Sequence, residues 1–119
     1  MFRLREEERK AKRIMRIYLS GPITNDPDYV NKFATADKAL HAMKYQVVNP
    51  AELYRVLPTD ATYEEIMSID LQLMELCEAL VQLPGWEKSL GCNREYGYAL
   101  AKDMIILQYS NLINGEGKK

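Results

Sequence analysis

Several features that would define a function class at once are missing from this sequence. The 119 residues contain two cysteines and one histidine, and no apolar run approaches the roughly 18 residues of a membrane span. The histidine, His41, has no cluster of ligand-type residues around it in the sequence, so we expect no zinc site and no other metal. Without a signal peptide, and with two cysteines only, the chain is expected to be cytoplasmic with reduced thiols.

Neither sign of charge is in excess over the whole chain. The formal net charge is −1, whereas a domain that binds nucleic acid needs surplus Lys and Arg to neutralise phosphates. Basic residues are concentrated near the start, where residues 1–16 hold seven Lys or Arg against three Glu. We interpret residues 1–13 as a basic N-terminal arm, a solvated or frayed helix rather than a nucleic-acid arm.

The glycine-rich signatures of common nucleotide and hydrolase folds are also missing. There is no P-loop, GxGxxG or GxSxG motif, which argues against an NTPase, a dinucleotide enzyme or a serine hydrolase. No repeat or Gly/Ser linker divides the chain. At this length one domain is expected, and we place it at residues 14–110 with a flexible tail over residues 111–119.

The sequence does contain a regular alternation of strand and helix patterns. Short runs rich in β-branched and aromatic residues predict strands at 14–20, 45–50, 79–83 and 104–109. Apolar residues at helical spacing fill the intervals between them. This alternation predicts an α/β fold, a small doubly wound parallel sheet of four to five strands, flavodoxin- or Rossmann-like, with helices on both faces.

Helix starts carry capping signals. Asp26 is predicted to cap the first long helix with Pro27 at its first position. Thr62 and Glu65 match a capping box for the next helix. The apolar stripe of the first long helix is predicted to comprise Val30, Phe33, Ala36, Leu40 and Met43, and that of the next Ile66, Ile69, Leu73, Leu76 and Cys77.

In parallel α/β sheets, ligands bind beyond the carboxyl ends of the strands. Three segments leave strand ends here: "SGPITND", "NPAELY" and "PGWEKSLG". We therefore expect the functional site to be built from these three segments.

Two acidic residues stand out from their helical context. Glu95 has small residues three or four positions away, so its face approaches other backbone or a ligand closely; the alternative is a partly exposed glutamate favoured by the helix dipole. Asp70 lies on or beside an apolar stripe, where an unpaired carboxylate would cost several kcal/mol, so something must satisfy it. The alternatives for Asp70 are a functional role and a structural hydrogen bond to a backbone amide.

The polar and aromatic residues around these acids have equally open interpretations. Ser89 and Gly91 open a helix, where free amides favour an anion such as phosphate, or Ser89 is an ordinary N-cap. Trp86 covers a ligand by stacking or fills a gap. Tyr18, on the first strand, reads by default as a core aromatic.

Three stretches read together resemble the nucleoside 2-deoxyribosyltransferase superfamily: "YLSGPIT", an Asp on the helix before "CEALVQLPGW", and "SLGCNREYGYA". The likeness is closest to its small phage and bacterial members and, in the serine-containing loop, to the 2′-deoxynucleoside 5′-phosphate N-hydrolases. It covers roughly residues 14–108.

The resemblance implies roles for individual residues. It implies that Glu95, six after Ser89, is the catalytic nucleophile and that Asp70 holds the sugar or assists departure of the base. Tyr18 would help orient the nucleophile or the sugar. The implied substrate-binding residues are Ser20, Gly21, Ile23, Trp86, Ser89 and Gly91.

The implied activity is cleavage of the N-glycosidic bond of a (deoxy)nucleoside 5′-monophosphate, because members with Ser at the position of Ser89 tend to hold a 5′-phosphate. No cofactor is implied, and the expected partners are a small nucleotide or nucleoside and further copies of the chain. Glu78 stands where the family usually has Asp, and polar residues that other members bring from the C-terminus or a neighbouring subunit have no clear match. Transfer between bases, a nucleotide-binding module without turnover, and a partner-binding protein using the basic arm are the alternatives.

Overall fold

The structure is a computed structural model that describes residues 5–12 and 14–115. The strands are β1 (Arg16–Ser20), β2 (Gln46–Val48), β3 (Ala79–Gln82) and β4 (Ile105–Gln108). The helices are α1 (Glu6–Ala11), α2 (Tyr29–Ala42), α3 (Pro50–Tyr54), α4 (Tyr63–Met74), α5 (Leu90–Ala101) and α6 (Tyr109–Ile113). Within the described ranges, no helix combines the length and the apolar content needed to cross a bilayer.

The predicted α/β fold is confirmed, with four strands in one sheet of order β2-β1-β3-β4. Every neighbouring pair is parallel, and the order is compatible with a flavodoxin- or Rossmann-like fold. The chain moves from β1 outward to β2 and then crosses back over β1 to β3, so the winding reverses between β1 and β3. In sheets of this kind, that reversal opens a crevice at the carboxyl ends of the two strands.

Helices cover both faces of the sheet, as the doubly wound pattern requires. On one face, α2 packs its buried Phe33, Ala36 and Leu40 against alternate strand residues, and side chains of α3 and α6 join the same core cluster. On the other face, α4 and α5 pack against Tyr18 and Leu80. Because side chains alternate along a strand, successive residues of β1 pack into the hydrophobic clusters on opposite faces of the sheet.

The start of α2 differs from the prediction. Its N-cap is Asp28 rather than Asp26, and the Asp28 side chain makes no capping hydrogen bond. Asp26 is engaged in the turn before the helix, where one carboxylate oxygen accepts from the Asp28 amide at 3.0 Å and the other from Lys32 Nζ at 2.9 Å. Val30, predicted in the apolar stripe, is 45% exposed; at the second position of α2 it lies beside the buried face formed by Phe33, Ala36 and Leu40.

The predicted caps of α4 and α5 are confirmed. Thr62 Oγ1 accepts from the Glu65 amide at 3.1 Å while Glu65 Oε1 accepts from the Thr62 amide at 2.8 Å. Ser89 Oγ accepts from the Cys92 amide at 3.2 Å. On α4, however, the fully buried positions are Met67, Asp70 and Met74, and the predicted stripe lies beside them, with Leu76 exposed beyond the helix end.

Both ends of the chain contribute to the folded unit. Helix α1 lies within the predicted arm, yet its Arg9 is 4% exposed and donates to Glu78 Oε1 at 2.7 Å and to the Ile14 carbonyl at 3.2 Å. At the other end α6 reaches Ile113, and Leu112 packs against the core, so the start of the predicted tail is helical. Residues 1–4, 13 and 116–119, to which the remainder of these predictions refers, lie outside the described residues.

The side chains of Leu83 and Phe33 lie so close to the backbone of Gly21, the residue after β1, that there is no room for a Cβ atom. A Cβ there would lie 2.8 Å from Leu83 Cδ1, 3.1 Å from Leu83 Cβ and 3.2 Å from Phe33 Cε1. We expect Gly21→Ala to lower the free energy of unfolding by about 1–3 kcal/mol, since overpacking forces neighbours to move. Gly97→Ala is the matched control, because a Cβ at that helical position meets nothing within 4 Å and should leave stability unchanged or raised. Urea denaturation of both variants checks this; equal effects would contradict it.

Candidate active site

A cavity of about 240 Å³ lies at the carboxyl edge of the sheet. All three segments predicted to build a site contribute to its wall: the loop after β1, the start and end of α3 after β2, and the start of α5 after β3. One face of α4 and two aromatic residues of α2 complete it. The lining residues are Leu19, Gly21, Ile23, Thr24, Tyr29, Phe33, Pro50, Tyr54, Tyr63, Ile66, Met67, Asp70, Ser89, Gly91, Cys92 and Glu95.

Glu95 is held by two hydroxyl groups from the same strand. It projects from α5 with 6% of its surface exposed; Tyr18 donates to its Oε2 at 2.7 Å, and Ser20 donates to its Oε1 at 2.6 Å. Tyr18 and Ser20 are two positions apart on β1 and therefore face the same side of the sheet. The side chain of Glu95 is thereby fixed at the edge of the cavity with a donor on each oxygen.

Burial and hydrogen bonding act in opposite directions on the Glu95 carboxyl group. Burial disfavours the charged form and raises the pKa to about 7, while the hydroxyls of Ser20 and Tyr18 oppose the rise and the charge of Asp70 adds to it. Both hydroxyls donate, so the hydrogen-bond geometry favours the anion. Near neutral pH the group is therefore poised between its protonated and ionised forms.

Asp70 is the second buried carboxyl group of the cavity. It is 3% exposed on α4, and its Oδ2 accepts from the Tyr54 hydroxyl at 2.6 Å. Its Oδ1 is buried and has no hydrogen-bond partner among the described residues. Burial raises the pKa of Asp70 to about 6, and the hydroxyls of Tyr54 and Tyr18 partly offset the rise. An unsatisfied buried polar atom is costly and calls for an explanation, and Asp70 is among the residues that line the cavity.

The partner of Asp70 differs from the one that the structural interpretation predicted. That interpretation expected a hydrogen bond from a backbone amide, and the partner is instead the phenol of Tyr54. Tyr54 ends α3, inside the "NPAELY" segment that follows β2. Its long side chain reaches from that segment to α4, so the second of the three strand-end segments contributes a hydroxyl group to the cavity.

Removing the Tyr54 hydroxyl should raise the pKa of Asp70 above about 6, because the carboxylate loses its direct donor. In Tyr54→Phe the free energy of unfolding at pH 8 should fall by about 1–3 kcal/mol, and by less at pH 4, where Asp70 is protonated. Carbon-13 NMR titration of the aspartate carboxyl carbons measures the shift. Tyr29→Phe is the control, since that cavity hydroxyl makes no hydrogen bond to Asp70. An unchanged Asp70 titration in Tyr54→Phe would refute the assignment.

The rim of the cavity is formed by Tyr63 at the start of α4, by Ser89 and Gly91 at the start of α5, and by Thr24. Arg94 binds both carboxylate oxygens of Glu64, at 2.9 and 3.1 Å, and its guanidinium lies 5.4 Å from the centre of the Tyr63 ring. Tyr63 is in turn close to Gly91, where an added Cβ would lie 3.5 Å from the phenol oxygen. The starts of α4 and α5 therefore lie within van der Waals distance of each other at this point of the cavity wall.

A wider depression of about 520 Å³ adjoins the rim. It shares Thr24, Tyr63, Ser89 and Gly91 with the cavity and adds Lys88 and Asn25. No Lys, Arg or His lines the inner cavity, so within the described part of the chain the positive charge of this region is found at the rim only.

Most of the predicted site residues are brought together. Glu95 and Asp70 line the same cavity, as do Gly21, Ile23, Ser89 and Gly91. Tyr18 and Ser20 do not line it but contact Glu95 directly, which makes Tyr18 more than the core aromatic that was the default interpretation.

Trp86 is not part of the cavity wall. Its indole nitrogen donates to Gln108 Oε1 at 3.2 Å, and its ring packs against Tyr96 with centroids 5.1 Å apart. These contacts fit the interpretation of Trp86 as a residue that fills a gap, and the predicted role of Trp86 as a cover stacked on a ligand stays a prediction.

Glu78 lies at the opposite edge of the sheet from the cavity. Its Oε1 accepts from Arg9 Nη1 and from the Arg16 amide at 2.8 Å, so it fastens α1 to the start of β1. The departure from the resembled family at this position consequently leaves the cavity untouched.

Sequence reasoning did not identify Tyr54, Tyr63, Tyr29 and Thr24 as cavity residues. The available signal was positional: Thr24 and Tyr54 lie in two of the segments that leave strand ends. Among the described residues, no group of three His, Cys, Asp or Glu side chains is arranged to hold a metal ion. The site therefore consists of two carboxyl groups, their hydroxyl donors and apolar walls.

These features define a class: a parallel α/β protein with two buried carboxyl groups facing one cavity next to the point where the winding of its sheet reverses. Within that class, the chain belongs to a family described as a domain of unknown function (DUF4406), whose sequence profile matches residues 15–108. The matched range contains both carboxyl groups and the two β1 hydroxyls. A search of curated proteins gave no match.

Proposed function

We propose that the cavity cleaves the N-glycosidic bond of a (deoxy)nucleoside 5′-monophosphate and releases the free base. The observation that carries the proposal is that carboxyl groups from two separate helices, Glu95 on α5 and Asp70 on α4, line one buried cavity. Breaking a glycosidic bond develops positive charge at the anomeric carbon and requires a proton for the leaving group. Two carboxyl groups with separate duties meet both needs.

In the first step, an ionised Glu95 oxygen attacks C1′ as the C1′–N bond breaks, giving a glycosyl ester on Glu95. The electron pair of the broken bond leaves with the base, which takes a proton from the Asp70 carboxyl group. In the second step, water attacks C1′, its proton returns to Asp70, and Glu95 is released as the carboxylate. Each cycle therefore consumes one water and restores both side chains.

The contacts of the two carboxyl groups support this division of roles. Glu95 accepts a hydrogen bond on each oxygen, an arrangement that stabilises its anion although burial raises its pKa to about 7. Asp70 lines the cavity and has one buried oxygen without a partner among the described residues. Burial raises its pKa to about 6, below that of Glu95, so the proposed first step uses the form of the pair in which the two hydroxyl donors hold Glu95 ionised and Asp70 carries the proton. Because the two charges repel each other, the pair tends to carry one proton near neutral pH.

The distribution of charge supports a substrate with a phosphate at one end. The inner cavity has two acidic groups and aromatic walls, which suit a sugar and a neutral base. The rim offers the Ser89 hydroxyl, the first amides of α5 and the nearby Lys88, which suit an anion. We accordingly assign the sugar to the inner cavity and the 5′-phosphate to the rim.

The test is incubation of the protein with a panel of nucleosides and their 5′-monophosphates, with free base measured by chromatography. The proposal expects base from at least one 5′-monophosphate and less from the matching nucleoside. Exchange of the base when a second base is present would identify transfer rather than hydrolysis. Calorimetric binding of a nucleotide without release of base by the wild-type protein would overturn the proposal and favour a binding module.

We further propose that the protein forms a homodimer or larger assembly in the cytoplasm. Apolar side chains are exposed on several elements, Leu90 at 72%, Leu100 at 54% and Ile105 at 46% among them, and β4 is an edge strand of the sheet. Exposed apolar side chains and an unpaired strand edge favour association between copies of the chain. Size-exclusion chromatography with light scattering measures the assembly directly.

A further inference from the structure

Three polar side chains lie side by side across the sheet beneath α5. The strand register pairs Ser20 with Gln82, and Gln82 with Gln108. The residue before each of them belongs to or packs against the core cluster on the α2 side, so strand alternation directs this row toward α5 and Glu95. Ser20 and Gln82 are each 1% exposed. A buried polar row of this kind requires partners for its hydrogen-bonding groups.

The direction of the hydrogen bonds along this row is fixed by Trp86. An indole N–H can only donate, so the atom of Gln108 that it contacts is the amide oxygen. The amide nitrogen of Gln108 then donates to Gln82 Oε1. The amide nitrogen of Gln82 is consequently left to donate to the next group in the row, and no acceptor lies within hydrogen-bond distance of it among the described residues.

Ser20 is the group that stands next in the row. Its hydrogen is given to Glu95 Oε1 at 2.6 Å, which leaves the lone pairs of its Oγ as acceptors. Ser20 and Gln82 are direct register neighbours on adjacent strands and face the same side. We propose that Gln82 is a positioning residue for Glu95: its amide, which has no direct acceptor among the described residues, donates to Ser20 Oγ through one bridging water and so fixes the Ser20 hydrogen on the Glu95 carboxylate.

The resulting path runs from Trp86 through Gln108, Gln82 and Ser20 to Glu95, and every donor in it points toward the carboxylate. Hydrogen bonds in such chains polarise one another and strengthen the last bond. The path therefore acts together with the Tyr18 hydroxyl on β1 to stabilise the Glu95 anion, which burial and the charge of Asp70 on α4 disfavour. The other titratable groups coupled to Glu95 are Tyr54 at the end of α3 and Cys92 on α5 itself.

The inference concerns the ionisation of Glu95 and, for its catalytic meaning only, rests on the proposed function. Carbon-13 NMR titration of the glutamate carboxyl carbons measures it without any substrate, with the Glu95 signal assigned as the one missing from Glu95→Gln. In Gln82→Met, which keeps the length of the side chain and removes its donors, the titration midpoint of Glu95 should rise by about 0.5 pH unit or more. That shift corresponds to an about threefold smaller ionised fraction at a pH below the midpoint.

Two further variants separate positioning from a general effect of the substitution. Gln108→Met leaves the Gln82 amide in place and should shift the midpoint by less than half as much. In a Ser20→Ala background, Gln82→Met should cause no additional shift, because the link to Glu95 is already broken. Gln82→Leu replaces the Met variant if that variant does not fold.

An unchanged Glu95 midpoint in Gln82→Met, or an equal shift with and without Ser20, would overturn the inference. Failure of the protein to release base from any nucleotide would refute the proposed function instead, and it would leave this titration as informative as before. If base is released, the acidic limb of the pH–rate profile of Gln82→Met should move upward with the NMR midpoint. A loss of activity with no movement of that limb would also count against the inference.

Discussion

Replacing Glu95 with Gln should lower the rate of base release by at least about 10³-fold, the scale of loss seen when a catalytic nucleophile is removed. The amide has the shape of the carboxylate and can keep hydrogen bonds to Tyr18 and Ser20, but it cannot form the ester with C1′. Because the cavity is unchanged in volume, nucleotide binding should persist. Chromatographic assay of free base, together with calorimetry of nucleotide binding, measures the two effects separately.

Glu87→Gln provides the matched control for this experiment. Glu87 lies on the exposed 3₁₀ turn Trp86–Lys88, outside the cavity wall, and the substitution makes the same change of charge. Its activity should equal that of the wild type. Full activity in Glu95→Gln, or an equal loss in both variants, would show that Glu95 is not the nucleophile.

The same Glu95→Gln substitution should stabilise the protein at alkaline pH. In the folded protein the pKa of Glu95 is raised from 4.5 to about 7, so between these values the folded state binds more protons than the unfolded chain. Stability contributed by the protonated group is complete below about pH 4.5 and is lost as the pH rises through about 7. The difference between these two pKa values corresponds to a loss of at most about 3 kcal/mol in the free energy of unfolding. A glutamine at position 95 has no charged form and avoids this loss.

Urea denaturation of wild type and Glu95→Gln at several pH values checks this second prediction. The two free energies of unfolding should be similar near pH 4 and should differ by about 1–3 kcal/mol near pH 8, with the variant more stable. Asp70 titrates in the same sense in both proteins, so the difference isolates Glu95 and its coupling to Asp70.

Glu64→Gln is the control for the pH dependence. Glu64 is an exposed partner of Arg94, and the hydrogen bond from that guanidinium lowers the pKa of Glu64. Removing the Glu64 carboxylate should slightly lower the free energy of unfolding at neutral and alkaline pH. This change has the opposite sign to the one expected for Glu95→Gln. A difference between Glu95→Gln and wild type that is independent of pH would contradict the burial of an ionisable group at position 95.

A native carboxyl group that reduces stability at neutral and alkaline pH fits a functional site, because activity is often obtained at a cost in stability. Glu95 and Asp70 both have raised pKa values caused first by burial. Such perturbed groups concentrate at sites that perform chemistry. The predicted gain in stability and the predicted loss of activity in Glu95→Gln are therefore two consequences of the same placement.

Much of the fold was predictable because it depends on local patterns. The alternation of short apolar runs with helical stripes identified the parallel sheet, and the capping signals at Thr62 and Ser89 placed the starts of α4 and α5 correctly. Glu95 and Asp70 were visible because a charge in small or apolar surroundings contradicts its local context. Their meeting in one cavity follows from the rule that the carboxyl ends of parallel strands share an edge.

The remaining features depend on contacts between distant parts of the chain, which no local pattern encodes. Tyr54 donates to a residue 16 positions away, and the burial of Arg9 depends on a partner 69 positions away. Trp86 has the same local sequence whether it covers a ligand or packs on Tyr96. At Asp26 the competing principle is local: its side chain serves the turn before α2, which delays the helix to Tyr29.

The most direct test of this account is a crystal structure of Glu95→Gln bound to an intact deoxynucleoside 5′-monophosphate that the wild-type protein cleaves. The account predicts the anomeric carbon next to the side chain of residue 95, the base within hydrogen-bond reach of Asp70 Oδ1, and the phosphate at the rim beside Ser89. A nucleotide bound elsewhere on the protein, or bound here with its anomeric carbon facing away from residue 95, would contradict it.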